Sequence, residues 1–164
     1  MDSGASRRLE LVCPAGTTAA FKAAVAAGAD AVYCGFADET NARNFPGLNF
    51  STTEMAAAIT LAHAAGTRVF VAINTYPQAG RESIWCDAVD RAAALGADAV
   101  ILADIGLLTY AAERHPDLRR HLSVQAAASS VEAIGFFARE FGVRRVVLPR
   151  VLTVEEIEAL NRAV

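Results

Sequence analysis

The chain has 164 residues, 54% hydrophobic and 20% charged, with a formal net charge of −3 and a pI near 5.6. Such a composition describes an ordered globular domain, and it lacks the basic surplus of a protein that coats nucleic acid. No apolar stretch reaches the ~20 residues of a membrane span, and three scattered cysteines without a CxxC pair exclude a disulfide framework or zinc site.

Residues 1–8, MDSGASRR, form a short polar start that is unlike a secretory signal and is expected to be a disordered tail. From there β-branched apolar runs alternate with Ala-rich helical patterns. A strand is predicted over 9–13, ending in CPAG, then a helix over 17–27 and a strand over 31–34. A long non-periodic stretch, 36–50, precedes a helix over 52–65, a strand over 68–73 and a helix over 81–95. The last units are strand 99–103 with helix 105–114, strand 121–124 with helix 131–141, and strand 145–148 with helix 154–161. Thr17, Ser51, Asp104, Ser130 and Thr153 stand where an N-cap must accept a free N–H. Gly28, Gly66, Gly96 and Gly142 stand where a left-handed C-cap is expected. Six β-then-α units in a row imply a parallel sheet.

The segment GADAV occurs at 28–32 and again at 96–100. It is either a repeat of the unit or a recurrent solution to the helix-to-strand turn, and the differing surroundings favour the turn. The first strand has no GxGxxG behind it, so the dinucleotide fingerprint of a doubly wound sheet is missing. The spacing of about 27 residues per unit is close to the roughly 31 of a (β/α)8 barrel. Pattern alone leaves both architectures open; the barrel then requires two more units than are present.

Alternation within strands separates two faces: Val69, Val71 and Ile73 on one, Phe70, Ala72 and Asn74 on the other. Polar groups collect at the C-terminal strand ends, namely Asn74, Asp104, Ser123, Gln125 and Arg150, on the rim where parallel α/β folds bind ligands. Each also has a plainer role, Asp104 as a helix cap, Asn74 in a turn, Ser123 and Gln125 as bonded core polars, and Arg150 as a surface charge. The 36–50 stretch, FADETNARNFPGLNF, sets the donors Asn41, Arg43 and Asn44 among aromatics. A loop of this length inside a compact domain is functional or disordered, and its aromatics argue for order. Arg43 is suited to clamp a carboxylate or phosphate, or is simply solvated. Cys13, Cys34 and Cys86 are expected to pack as small hydrophobes, and His63, His115 and His121 share no metal spacing. HExxH, GxSxG and P-loop motifs are missing, and the charged VEEIEAL tail suits a solvated helix face.

ELVCPAG (10–16), GADAVYCG (28–35), TNARNFPGLNF (40–50), INT (73–75), SVQA (123–126) and RRVVLPRVLT (144–153) occur in this order. Together they resemble the U-32 peptidase family, the so-called collagenase-like peptidases, from about Arg8 to the last residue. TNAR with FPGLNF, and ILADIGLLTYAAERHP, are most similar to its UbiU-like branch. That resemblance implies a TIM-like barrel and a role in oxygen-independent ubiquinone biosynthesis, hydroxylating the aromatic ring of the prenylated quinone precursor. It further implies a UbiV-like sister protein as heterodimer partner, prephenate as oxygen donor, and a four-iron four-sulfur cluster held by four cysteines. In such proteins the cluster cysteines follow the RVVLPR strand, and Cys13, Cys34 and Cys86 do not match them, so no metal ligand is assigned here.

On this basis the chain is expected to be a cytoplasmic, partial (β/α)8 barrel: residues 9–164 form its N-terminal portion, without the cluster-binding part. Asn41, Arg43, Asn74, Asp104, Gln125 and Arg150 fall within the family motifs and are the substrate-binding candidates, for a small molecule rather than nucleic acid or membrane. Other branches hydroxylate bases of ribosomal or transfer RNA, which makes RNA-base hydroxylation the second reading. A peptidase needs an activated nucleophile or metal-bound water, and neither is legible here. A non-catalytic, partner-binding half is the fourth reading, since strands 9–13 and 145–148 would be open edges prone to pairing.

Overall fold

The computed structural model describes residues 9–164; the expectation of a disordered tail falls on residues 1–8, outside that range. Six strands form one sheet: β1 (Val12–Pro14), β2 (Ala31–Gly35), β3 (Arg68–Ile73), β4 (Ala99–Leu102), β5 (Arg119–Leu122) and β6 (Val143–Val146). They lie in sequence order and every neighbouring pair is parallel. Between and after them run α1 (Thr18–Ala26), α2 (Thr52–Ala64), α3 (Ser83–Ala94), α4 (Ile105–Arg114), α5 (Val131–Phe141) and α6 (Val154–Ala163). The result is a curled half-barrel, the partial TIM-like fold expected. Among the described residues no helix is long and apolar enough to cross a membrane.

Strand alternation builds the two faces. Val32, Cys34, Val69, Val71, Ile73 and Leu102 face outward and pack with Phe21, Met55 and Trp85 from the helices. The opposite set, Ala31, Phe70 and Ala99 with Val12, Tyr33 and Ile101, lines the inner face. Trp85 and Ile73 are fully buried, each burial worth about 1.5–3 kcal/mol.

The curl is visible in one ion cluster. Glu10, just before β1, accepts from Arg68 of β3 at 2.7 Å and also from Arg145 of β6, so both ends of the sheet reach the same carboxylate. These two guanidiniums hold the Glu10 carboxyl down at about 2. Arg145 and Arg68 also lie over the Phe70 ring, at 5.3 and 5.9 Å. His121 meets that ring edge-on, 4.6 Å between centroids.

The side chains of Thr17, Ser51, Asp104, Ser130 and Thr153 each accept an N–H in the first turn of the following helix. Gly28, Gly66, Gly96 and Gly142 all take positive φ. The two GADAV segments perform the same local task. Asp30 accepts from the Leu11 N–H at 2.8 Å and Asp98 from the Val69 N–H at 2.7 Å. In both, the Gly turns the chain out of a helix and the Asp locks the new strand beside the previous one. The recurrence is thus a turn solution, as its surroundings suggested.

Three strands start away from their predicted positions: β1 starts at Val12 rather than at residue 9, while β5 and β6 start two residues early, β5 taking in Arg119 and Arg120 and β6 taking in Val143 and Arg144. In β5, Arg120 is drawn inward, its Nε donating to the Phe141 carbonyl at 2.7 Å and its Nη1 to the Leu118 carbonyl at 2.9 Å. It thereby satisfies backbone acceptors at the C-terminal end of α5 and at the start of its own strand. At the other end, Ser123 accepts from the Gln125 N–H and starts a single 3-10 turn, Val124–Ala126, so Gln125 lies beyond the strand.

Candidate functional site

At the C-terminal ends of β1, β2 and β3 the 36–50 loop is folded into a fixed cap. Phe36 and Phe50 form a parallel bridge, both rings are buried, and the Asn49 N–H donates to the Gly16 carbonyl at 2.7 Å. Asp38 opens the turn by accepting from the Thr40 hydroxyl and pairs with Arg91 of α3 at 2.8 Å. Burial alone would raise the Asp38 carboxyl, but the Thr40 and Arg91 bonds hold it below its ordinary value. Arg91 also covers the Phe36 ring, 4.4 Å from its centroid. The loop is therefore ordered, in keeping with its aromatic content.

Asn41 is the keystone of this cap. Its Nδ2 donates to Asn49 Oδ1 at 2.9 Å and its Oδ1 accepts from the Arg43 N–H at 3.0 Å. The side chain lies directly over Gly35, where an added Cβ would fall 2.2 Å from Nδ2. Asn74 grips the same loop from β3, accepting from the Ala42 N–H at 3.1 Å. Asn41 and Asn74 are thus brought together, with their amide oxygens engaged by backbone donors.

Asp104 caps α4 by accepting from the Leu107 N–H at 2.9 Å. Its replacement by alanine is expected to cost about 1 kcal/mol and to leave ligand binding unchanged, checked by urea denaturation beside a binding titration. Arg43, Gln125 and Arg150 are exposed, Arg43 on the loop, Gln125 on the 3-10 turn after β5 and Arg150 beyond β6. Among the described residues none of these three side chains has an ion pair or a side-chain hydrogen bond, which leaves them available to a ligand. Ser123 is buried and spent on its own turn.

Tyr76 was not evident as a rim residue from sequence. It lies three positions past β3, 51% exposed, with its hydroxyl bonded to the Gln125 carbonyl at 2.8 Å. Its neighbour Thr75 is fixed between the loop and α3, its hydroxyl donating to the Glu39 carbonyl at 2.7 Å and accepting from Trp85 Nε1 at 2.8 Å. The available signal was position alone, two residues beyond the rim candidate Asn74.

The described residues do not fit an iron–sulfur cluster. Cys13, Cys34 and Cys86 lie on β1, β2 and α3, and no group of three or more His, Cys, Asp or Glu among the described residues is arranged to hold a metal. Burial pushes the Cys34 thiol up to about 12, where it packs against the Met55 sulfur. Burial and the nearby carboxylates Asp90, Asp87 and Glu82 also raise the Cys86 thiol. Neither thiol is disposed to ionise. The histidines engage carboxylates or an aromatic ring: His63 with Asp98, His115 with Asp90, His121 with Phe70.

The model of peptidase family U32 matches residues 16–164. The chain is 34% identical over 155 residues to the tRNA hydroxylation protein P of Escherichia coli (strain K12), covering 94% of this chain and 34% of that protein. It is 32% identical over 168 residues to the 23S rRNA 5-hydroxycytidine C2501 synthase of the same strain, covering 96% of this chain and 23% of the synthase. The chain thus spans about a third or less of these curated relatives. Among solved structures, the U32 peptidase Mk0906 superposes with a TM-score of 0.77 at 20% identity, over 96% of this chain and 66% of that one, which shows a shared fold. With a family match running from the first strand-end loop to the last residue, on a half-barrel whose rim loop carries the family motifs, the chain belongs to peptidase family U32.

Proposed function

We propose that this chain is the N-terminal barrel portion of an RNA-base hydroxylase, with substrate bound at the C-terminal strand rim. The observation that carries this reading is the match to tRNA hydroxylation protein P over 94% of the chain. It reverses the order of the two hydroxylation readings drawn from sequence, and it withdraws support from the expectation that nucleic acid is not a partner.

The acidic net charge had weighed against RNA, but it is an average. Residues 114–150 hold seven of the fifteen basic residues and three of the eighteen acidic ones. At the N-terminal ends of β5 and β6, the opposite end of the sheet from the rim, Arg119 and Arg144 line a groove of about 550 Å³ together with Asp117 and with Arg120, whose guanidinium is already bonded to backbone carbonyls. Such a locally basic region can contact phosphates on a chain that is acidic overall.

Ring hydroxylation of a quinone precursor, with a UbiV-like partner and prephenate, remains the second reading, on the likeness of the TNAR, FPGLNF and ILADIGLLTYAAERHP motifs. In either reading a four-iron four-sulfur cluster belongs to the proposal for the whole protein only. A peptidase is less favoured, because among the described residues neither His63 of the Asp98 pair nor His115 of the Asp90 pair is hydrogen-bonded to a serine or a cysteine. Deletion of the gene, followed by mass spectrometry of tRNA and rRNA nucleosides, is expected to remove one hydroxylated base that the restored gene returns. Unchanged RNA with lost anoxic ubiquinone would select the second reading instead.

A further inference from the structure

Tyr76 is half-exposed yet immobilised, a combination its surroundings do not explain. An exposed tyrosine ordinarily leaves its hydroxyl in water and its ring free among rotamers. Here the hydroxyl is fixed on the Gln125 carbonyl at 2.8 Å, after β5, while the backbone leaves β3. β4 lies between those strands in the sheet. The side chain therefore spans the C-terminal end of β4, across the mouth of the half-barrel.

Both ends of this span are rigid. On the β3 side, Thr75 donates its N–H to the Thr40 carbonyl at 3.2 Å, tying the Tyr76 backbone to the 36–50 loop. At the other end, the Gln125 carbonyl belongs to the 3-10 turn that Ser123 nucleates. The same loop presents Arg43, exposed and without an ion pair among the described residues, and Phe45, 58% exposed. The mouth thus carries a pinned aromatic ring, and the loop bonded to the neighbouring Asn74 and Thr75 adds a guanidinium without an ion pair among the described residues and a second exposed ring.

We infer that Tyr76 is a stacking platform for an unpaired nucleobase of an RNA substrate, with Arg43 serving the adjoining phosphate; this assignment rests on the RNA-hydroxylase reading above. Unstacked RNA bases are recognised by stacking on aromatic side chains and on Arg guanidinium planes. A platform fixed before binding loses less rotamer entropy when the base arrives. Stacking is tolerant of base identity, so Tyr76 contributes affinity, and the choice of base falls to other groups.

The test uses the complete gene product and an RNA hairpin carrying 2-aminopurine in its loop. Wild type is expected to bind the hairpin and quench the probe by stacking. Tyr76→Ala and Tyr76→Leu are expected to lose roughly ten- to a hundredfold in affinity, together with the quenching. Tyr76→Phe, which keeps the ring, is expected to stay within a few-fold of wild type. Thermal melting identifies a variant that has simply unfolded, and the Leu-against-Phe split then decides the matter, since both fill the space and only one has a π-face. Wild-type binding that survives in Tyr76→Leu overturns the stacking assignment and leaves the RNA reading standing. A wild type that binds no RNA overturns both.

Discussion

Replacing Gly35 by alanine is expected to destabilise the protein by roughly 2–4 kcal/mol and to release the 36–50 loop from the rim. The cause is close approach rather than backbone conformation. A Cβ at this position would lie 2.2 Å from Asn41 Nδ2, 2.6 Å from Asn41 Cγ and 3.2 Å from the Ala72 carbonyl oxygen. The Ala72 oxygen belongs to the sheet and has little room to move, so the Asn41 side chain must leave. Its departure breaks the bond to Asn49 Oδ1 and the bond from the Arg43 N–H. Asn49 holds the other end of the loop through Gly16, so both anchors loosen together. Urea denaturation gives the stability change, and hydrogen exchange over 36–50 reports the loop. Asn41→Ala separates the two contributions, because it removes the bonds without the clash. The Gly35→Ala/Asn41→Ala pair is expected to cost less than the sum of the singles, as contacting sites do. Additive costs would show that Asn41 is not what Gly35 accommodates.

The architecture was legible because the signals that specify it are local. Apolar runs alternating with Ala-rich helices, N-caps such as Thr17 and Ser130, and C-cap glycines such as Gly28 each act within a few residues. β3 occupies the range its run indicated, 68–73. β5 and β6 start before their predicted ranges, and in β5 a charged side chain is part of the strand because the half-buried Arg120 is bonded to the Phe141 and Leu118 carbonyls. The site was less legible for the same reason. A polar residue at a strand end serves a ligand or the backbone, and the sequence alone does not distinguish these. Asp104, Asn41 and Asn74 turned inward to backbone donors, while Arg43, Gln125 and Arg150 stayed open. Tyr76 depends on a carbonyl 49 positions away, and Arg145 on a carboxylate 135 positions away. Net charge is an average over the chain, and it does not report that residues 114–150 hold seven of the fifteen basic residues and three of the eighteen acidic ones.

Acid is expected to weaken the fold by about 2–3 kcal/mol between pH 6.5 and 4 through His121 alone. Burial on the inner face pushes this imidazole down to about 4, and Arg145, Arg119 and Arg68 add to the shift while Glu10 opposes it. A histidine lowered in the folded state binds protons more readily once unfolded. Its contribution to stability is therefore complete above about pH 6.5 and is lost as pH falls towards 4. Glu10 acts in a lower window. Its carboxyl is held at about 2 by Arg68 and Arg145, so its contribution is complete above the ordinary glutamate range and fades from there down to about pH 2. Because Glu10 is partly exposed, solvent screens that term and it is the smaller of the two. Urea midpoints at pH 7, 5.5 and 4.5 resolve the histidine window before the carboxylate one opens. His121→Phe keeps a ring against Phe70 and removes the titration, so its stability should change little between pH 7 and 4.5. If wild type and His121→Phe lose stability in parallel over that range, the burial of a neutral His121 is not the source of the acid sensitivity.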